Sequence, residues 1–312
     1  MTSMATGVTK RLLLAVGVGA VVTVGVLPSC SRAPETQTFA SAREAAQALR
    51  AATDDQTGDR MRAIFGPEAK ELLDTADPVA ARRNRQVFTV AFDEQWQLVN
   101  DGPATTLVVG HESWPFPVPL VKDGARWRFD TAAGLEEVIA RRVGRNELSA
   151  IQVSRAYVLA QRLYARRGHD GLPAGTYAMK LRSDAGRQNG LYWPAGRGEN
   201  RSPVGELLAK AGTDRASSSD APGPFHGYLF RILTGQGPSA DGGARNYVDG
   251  GGRMSGGFAL VAWPAAYDVT GVMTFIVNQD GRVYQRDLGP STEAVATTMK
   301  TFDPDANWSA VE

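Results

Sequence analysis

The sequence has little of the chemistry that most enzyme classes need. Its 312 residues include one cysteine and three histidines, and the histidines (His111, His169 and His226) lie far apart in the chain. No GxSxG turn, HExxH pair or Walker-type phosphate loop is present. These absences exclude the common signatures of serine hydrolases, zinc proteases and P-loop nucleotide hydrolases. We therefore predict no catalytic residue, no metal site and no cofactor.

An excess of charge of one sign is also missing. Lys and Arg number 34 against 33 for Asp and Glu, which leaves a formal net charge of +1. Such a chain has no broad basic field to attract nucleic acid, so we predict no nucleic-acid partner. A single cysteine cannot form an intrachain disulfide, and packing alone must therefore stabilise the fold.

The N-terminus carries an export signal. Lys10 and Arg11 precede an apolar run at residues 12–27, which leads through Pro28 and Ser29 to Cys30. This ending resembles a bacterial lipobox, in which the cysteine is acylated and becomes the mature N-terminus. An uncleaved anchor and a plain secretory signal are the alternatives. We predict a signal peptide (1–29), a lipidated Cys30 with its tether (30–38), and a membrane-anchored lipoprotein that faces the periplasm.

Residues 39–132 change from helix signals to strand signals. Ser41 and Glu44 form a capping box that opens a helix, Gly66 stops a second helix, and Pro78 begins another. Strand-like runs follow at residues 96–99, 105–109, 118–121 and 125–129. Helices followed by a curled antiparallel sheet indicate an N-terminal α+β domain. The order is similar to the nuclear transport factor 2-like fold, which often encloses a pocket between helix and sheet.

Residues 133–167 have the apolar spacing of two connecting helices that break at Gly144. Arginine is concentrated there, at Arg141, Arg142, Arg145, Arg155, Arg162, Arg166 and Arg167. Two interpretations stay open. Either the arginines bind an anionic partner, such as phospholipid head groups or an envelope polymer, or they form a solvated face with helical pairs such as Glu137 with Arg141.

Residues 168–312 contain a turn-rich stretch, with a polar insertion at 211–224, and then the most ordered pattern in the chain. Four apolar runs lie between residues 226 and 288, and the turn at residues 278–281 joins the last two. This pattern predicts a four-stranded antiparallel meander. Both faces of the run at 272–277 are apolar, so we expect one face to pack on the preceding helix and the other on a neighbouring element.

Trp-Pro occurs three times, at Trp114, Trp193 and Trp263. Proline fixes its own φ and holds the preceding residue extended, so each indole would stand rigidly at the edge of an element. The rings either form an aromatic surface for sugars or a partner's apolar side chains, or they seal the core. Trp193 is the ring that we expect to be exposed. Together with His226 and Tyr228, the three tryptophans make up the candidate binding surface.

Six segments resemble the bacterial family called domain of unknown function 2950. They are WPFPVPLVKDGARWRFDTAAG, RRVGRNELSAIQVSRAYV, GLYWP, HGYLFRILTGQGP, GGFALVAWPAAYDVTGVMTFIVNQDG and FDPDANW. The resemblance implies an exported, often lipid-anchored envelope protein without an established activity. It also implies a calcium-type acidic loop after the long helix, but residues 166–171 (RRGHDG) lack the spaced oxygen ligands of such a loop.

The C-terminal runs also resemble the sheet of type II secretion pseudopilins. The residues in the same order are Gly227, Tyr228, Phe230, Ala262, Pro264, Thr274, Phe275, Asp280 and Gly281. The long N-terminal helix of a pilin is missing from this sequence. The resemblance therefore implies a pseudopilin-like β domain and no filament assembly.

These observations favour a non-catalytic binding or structural module of the cell envelope, with an envelope protein or a glycan as its partner. The alternative is an envelope enzyme that acts on a cell-wall or small-molecule substrate in a pocket near His226 or His111. A histidine that converges with other titratable groups in a deep pocket would favour the enzyme, and an apolar cleft would count against it.

Overall fold

The computed structural model describes residues 36–55, 57–73, 78–194, 202–203 and 223–312. The predicted signal peptide, Cys30, residues 31–35 of the tether and residues 211–222 of the polar insertion lie outside this part. The described residues form an α+β fold, as predicted, with two hydrophobic cores. One core draws on residues from Phe39 to Phe129, and the other draws on residues from Ala150 to Phe302.

The described part begins with helices that form the N-terminal domain. They are α1 (Ala42–Ala52), α2 (Asp59–Phe65), α3 (Ala69–Leu73) and α4 (Pro78–Glu94). The predicted capping box is confirmed, because the Glu44 N–H donates to Ser41 Oγ at 3.1 Å and the Glu44 carboxylate accepts from the Ala40 N–H at 2.9 Å. Gly66 ends α2 with φ +72°, a conformation that only glycine adopts without strain.

The first sheet follows these helices. Its strands are β1 (Trp96–Asp101), β2 (Ala104–Val109), β3 (Trp114–Pro115), β4 (Leu120–Asp123) and β5 (Arg126–Phe129). The order is β1-β2-β4-β5, with β3 also paired to β2, and every pairing is antiparallel. The strand predicted from residue 118 starts at Leu120, because Pro119 has no N–H to give to a ladder. Helix α1 packs on β5, and α4 packs on β1 and β2.

A single helix, α5 (Thr131–Ala165), runs where the sequence predicted two. The predicted break at Gly144 is wrong. Glycine costs only about 1 kcal/mol relative to alanine inside a helix, and the next turn is held firmly to the C-terminal domain. Asn146 Nδ2 donates to the Thr270 carbonyl at 2.8 Å, and the Glu147 carboxylate accepts from the Met273 N–H at 3.0 Å.

The remaining elements build the C-terminal domain. They are β6 (Tyr228–Leu233), β7 (Gly235–Gln236), β8 (Arg245–Asn246), β9 (Ala259–Pro264), β10 (Met273–Asn278), β11 (Val283–Asp287), a short 3-10 turn (Gly289–Ser291), α6 (Thr292–Thr298), β12 (Thr301–Phe302) and β13 (Ser309–Ala310). The main sheet has the antiparallel order β13-β11-β10-β9-β6, and a small sheet has the order β12-β7-β8.

The four predicted runs of the meander are confirmed as β6, β9, β10 and β11, and β13 adds a strand that was not predicted. The Gly281 N–H donates to the Asn278 carbonyl at 3.0 Å and closes the predicted turn between β10 and β11. Helix α5 packs on β9, β10 and β11, while α6 packs on β9 and β12 contacts β9 and β10. In β10 every residue after Met273 is buried, and α5 and β12 both contact this strand, so the expectation that both faces of the run at 272–277 are covered is confirmed.

Candidate functional site

A cavity of about 240 Å³ lies inside the N-terminal domain. It is bounded by α1, α2, α3, α4, the segment from β3 to β4, and the first turns of α5. Its apolar lining consists of Leu49, Met61, Phe65, Leu73, Phe88, Trp114, Phe116, Pro117, Val118 and Val138. The other lining residues are Thr53, Asn84 and Arg85. The cavity is therefore an apolar chamber with a few polar groups.

Phenylalanine rings hold the walls of this cavity in place. The Phe116 ring centre lies 5.3 Å from that of Phe88 and 6.4 Å from that of Phe65. Phe65 meets Phe129 edge-on at 5.4 Å, and Phe129 is fully buried in the core. Ring contacts of this kind contribute about 0.5–1.5 kcal/mol beyond area burial, so the walls form part of the packed core and exist without a ligand.

Gly134 lets α5 approach the cavity wall closely. A Cβ at this position would lie 2.6 Å from Val118 Cγ2, which is shorter than side-chain contacts allow. Val138, one turn further along α5, then lines the cavity. The missing side chain at Gly134 thus determines how near this helix comes to the chamber.

The polar groups of the lining differ in what they offer. The Thr53 hydroxyl is engaged within the fold, since it donates to the Arg50 carbonyl at 2.7 Å and accepts from the Thr89 hydroxyl at 2.9 Å. Asn84 is exposed and Arg85 is partly exposed. Among the described residues no carboxylate forms an ion pair with Arg85. The described residues that line the cavity include neither histidine nor carboxylate.

Trp114 is the predicted site residue that the fold places at the cavity. Its side chain is 45% exposed and also lines the chamber. The Arg141 guanidinium lies 5.6 Å from the centre of its ring. Arg141 is itself fixed, because its Nη1 donates to the Pro115 carbonyl at 2.8 Å and its Nε donates to the Glu137 carboxylate at 2.7 Å. The predicted helical pair of Glu137 with Arg141 is thereby confirmed.

The other aromatic candidates do not join Trp114. Trp193 is 5% exposed, so the expectation that it is exposed is wrong, and its ring packs 5.4 Å from His169 and 6.5 Å from Tyr164. Trp263 is 6% exposed and lies in β9. Both rings seal the C-terminal core, which was the second interpretation of the Trp-Pro pattern.

Tyr228 is fully buried and its hydroxyl donates to the Met273 carbonyl at 2.8 Å. Burial raises the pKa of this phenol, and the nearby Glu147 carboxylate adds to the rise. The side chain is thus a neutral member of the core. It does not belong to an accessible binding surface.

The histidines stay apart in three dimensions. His226 is exposed, has φ +47° and packs on Phe225 with 4.2 Å between ring centres. His111 is exposed in the turn after β2. His169 stacks on Tyr164 at 4.2 Å. Within the described ranges no group of three or more His, Cys, Asp or Glu side chains is placed to hold a metal ion.

A second, more polar groove of about 410 Å³ lies at the glycine-rich interval and is lined by Thr234, Gly235, Gln236, Ala244, Arg245, Asn246, Lys300 and Thr301. Gln236 Nε2 donates to the carbonyls of Asp241 and Gly243, and its Oε1 accepts from the Tyr247 hydroxyl. Gln236 is buried and thus forms the polar centre of this segment.

The chain matches one family model, described as a protein of unknown function (DUF2950), over residues 36–311. The chain belongs to the DUF2950 family. No curated protein and no solved structure matches it, so the likenesses to nuclear transport factor 2 and to pseudopilins gain no support. In the part of this DUF2950 protein that the structure describes, no helix has the length and apolar composition to cross a membrane.

Several residues of the DUF2950 cavity escaped the sequence analysis. Arg85 and Phe88 occur three positions apart on α4, and this spacing places two side chains on one helix face. Phe116 follows Trp114-Pro115 in the sequence, and Val138 follows Gly134 by one turn. These signals were present, but nothing in the spacing indicated that the four residues surround one empty volume.

Proposed function

We propose that this protein is an exported, lipid-anchored binding protein of the cell envelope whose N-terminal cavity takes up the apolar part of a small amphiphile. The observation that supports the proposal is the apolar chamber itself, with walls built from core phenylalanines. Sites for small molecules are concave and mostly apolar, with a few polar groups that orient the ligand. This chamber has both features.

The size of the cavity narrows the choice of ligand. Pockets for drug-sized molecules measure about 300–1,000 Å³, and this chamber measures about 240 Å³. It suits a short acyl chain or a single ring. A chain of six methylenes would contribute about 5 kcal/mol at about 0.8 kcal/mol for each buried methylene, part of which is offset by the entropy that the ligand loses.

Arg85 defines the expected head group. Arg85 is a lining residue of the cavity and has no carboxylate partner among the described residues. Guanidinium groups bind carboxylate and phosphate through charge-assisted hydrogen bonds. The ligand therefore carries an anionic head that meets Arg85 and an apolar tail that fills the chamber.

The test is calorimetric titration of the purified chain from residue 31 onward with octanoate and with 1-octanol. The expected result is binding of both, with octanoate tighter. Val138→Phe fills the chamber and should abolish binding of both compounds. Val90→Phe makes the same change on a side chain that is 59% exposed, and it should leave both affinities unchanged. If Val138→Phe retains its helical circular dichroism and still binds octanoate like the parent, the cavity is not the site.

A second pair of variants examines the head group. Arg85→Gln should weaken octanoate binding by about 10- to 150-fold, since a charge-assisted hydrogen bond contributes about 1.5–3 kcal/mol. It should not affect the binding of octanol. Arg83→Gln removes the same charge from an exposed position on α4 and should change neither affinity. An equal loss for octanol would assign Arg85 to the fold rather than to the ligand.

Anchoring is tested separately in the exporting cell. A multiply acylated Cys30 would hold the protein on a bilayer almost permanently, because each buried methylene contributes about 0.8 kcal/mol. Cys30→Ser should therefore move the protein from the membrane fraction to the wash. Unchanged retention after a high-salt wash would contradict the lipid anchor and leave the cavity proposal untouched.

A further inference from the structure

Helix α5 presents a long exposed surface away from the cavity. Between residues 145 and 166, its exposed arginines are Arg145, Arg155, Arg162 and Arg166. The exposed leucines are Leu148, Leu159 and Leu163. Gln152 is the one other exposed residue in this segment. We call these eight residues the Arg–Leu stripe.

The stripe is a single face of the helix. Its members recur at intervals of three or four, which keeps them within about a quarter to a third of the helix circumference. At a rise of 1.5 Å per residue the stripe is about 30 Å long. The opposite face is buried in the C-terminal core through residues such as Val153, Tyr157 and Tyr164. The stripe is therefore held on a rigid element.

The stripe is basic without compensation on its own face. It contains no Asp or Glu, and the one carboxylate of the segment, Glu147, binds the backbone N–H groups of Val272 and Met273. Arg155 and Arg162 donate to the backbone oxygens of Glu312 and Gln279, at 3.1 Å and 2.8 Å. These contacts hold both side chains along the helix, and the neutral Gln279 carbonyl leaves the positive charge of Arg162 in place. Two copies of the stripe would repel each other, so the complementary surface is anionic.

The leucines indicate what kind of anionic surface fits. Leu148 is 63% exposed, Leu159 is 61% exposed and Leu163 is 46% exposed. An acidic polymer would pair with the arginines and leave these leucines in water. An anionic bilayer satisfies both, because leucine side chains enter the boundary of the acyl region while guanidinium groups meet the phosphates. We propose that the Arg–Leu stripe of α5 lies on the surface of an anionic lipid bilayer and orients the protein there.

The experiment uses the chain from residue 31, which keeps both described cores and lacks the acylated cysteine, so its outcome does not depend on the lipid anchor. Sedimentation is measured with vesicles of phosphatidylcholine and phosphatidylglycerol (7:3) and with phosphatidylcholine alone. Binding is expected to the anionic vesicles only, and it should fall as salt screens the arginines. Equal binding to both vesicles, or to neither, would overturn the proposal.

Matched variants test the stripe itself. Arg145→Gln combined with Arg166→Gln should weaken partitioning about 30-fold, since each arginine near an anionic surface contributes about fivefold. Arg82→Gln combined with Arg83→Gln makes the same change in net charge on exposed positions of α4 and should shift partitioning less than about twofold. Equal losses in the two double variants would mean that net charge alone drives binding, which contradicts a dedicated stripe.

The leucines separate a bilayer from a soluble polyanion. Leu148→Ser combined with Leu159→Ser should lower partitioning to anionic vesicles and leave binding to polyphosphate unchanged. If this variant binds vesicles like the parent while the Arg145/Arg166 variant loses both vesicles and polyphosphate, the partner is an acidic polymer and the bilayer proposal is wrong. Far-ultraviolet circular dichroism confirms that each variant keeps α5.

Discussion

Two glycines of α5 should respond in opposite directions to alanine. At Gly144 an added Cβ meets nothing within 4 Å, whereas at Gly134 it would lie 2.6 Å from Val118 Cγ2 and 2.9 Å from Val118 Cβ. Gly144→Ala should raise the free energy of unfolding by about 1 kcal/mol, because alanine loses less backbone entropy in a helix. Gly134→Ala gains the same helix stability, about 1 kcal/mol, but its added methyl group overpacks the core, which costs about 1–3 kcal/mol. Its net effect should be a loss of up to about 2 kcal/mol.

Urea unfolding of the chain from residue 31 measures both changes. Circular dichroism follows the helices and tryptophan fluorescence follows the two cores, and the shift in midpoint at a constant slope gives the change in free energy. The two probes are compared, since domains with separate cores can unfold in separate steps. Gly134→Ala should also weaken the binding of octanoate, because the displaced Val118 moves toward the chamber. Gly144→Ala should leave octanoate binding unchanged.

Each variant can refute one part of the reasoning. If Gly144→Ala lowers stability, the chain needs a glycine at this position, and the continuous helix gives way to the two helices that the sequence pattern predicted. If Gly134→Ala stabilises the fold as Gly144→Ala is expected to do, the close approach of α5 to Val118 is wrong. The expected signs are opposite within one helix, so a general preference for alanine cannot produce both results.

Two further predictions concern groups outside the cavity. Gln161 is fully buried, donates to the Ala178 carbonyl at 2.8 Å and accepts from the Ala178 N–H at 2.9 Å. Gln161→Leu leaves both backbone groups of Ala178 without these hydrogen bonds and should lower the free energy of unfolding by about 2–4 kcal/mol. In the same urea titration, the exposed control Gln152→Leu should change the free energy of unfolding by close to zero. The hydrogen bond from the Arg60 N–H, and then those from Thr57, lower the pKa of Asp55 from 3.8 to about 2. The stability that the ionised Asp55 contributes is therefore present above pH 3.8 and is lost as the pH falls toward 2. Carboxyl chemical shifts measure this pKa, and a titration midpoint near 3.8 would contradict the hydrogen bonds.

Local chemistry made much of the fold predictable. The cap at Ser41 and the turn at residues 278–281 are short-range hydrogen-bond patterns. In each of them, the residues that form the hydrogen bonds lie within four positions of one another in the sequence. The alternation along β10 is likewise a property of one strand. The strand β13 has only two residues (Ser309–Ala310), which is too short to show a period, and it exists because β11 offers it an edge.

The candidate site was predictable only in part. A pocket in the N-terminal domain was implied only by the resemblance to the nuclear transport factor 2-like fold. Trp114 was named as a site residue, and it lines the cavity that the structure contains. Trp193 and Trp263 have the same Trp-Pro signature, yet both are buried. The signature determines the local backbone, while the exposure of the ring depends on which distant side chains pack against it, such as Tyr164 and His169 for Trp193.

The sequence by itself determined the α+β class, the caps and turns, the family and the expectation of export, because these follow from neighbouring residues or from matching segments. Only the tertiary structure decided that α5 is continuous, that six segments of the chain surround an apolar chamber, and that the exposed arginines and leucines of α5 share one face. These features depend on contacts between residues that are distant in the sequence. Contacts with the C-terminal domain stabilise α5 by more than the helix propensity that Gly144 loses, and the cavity forms only where several segments pack around it.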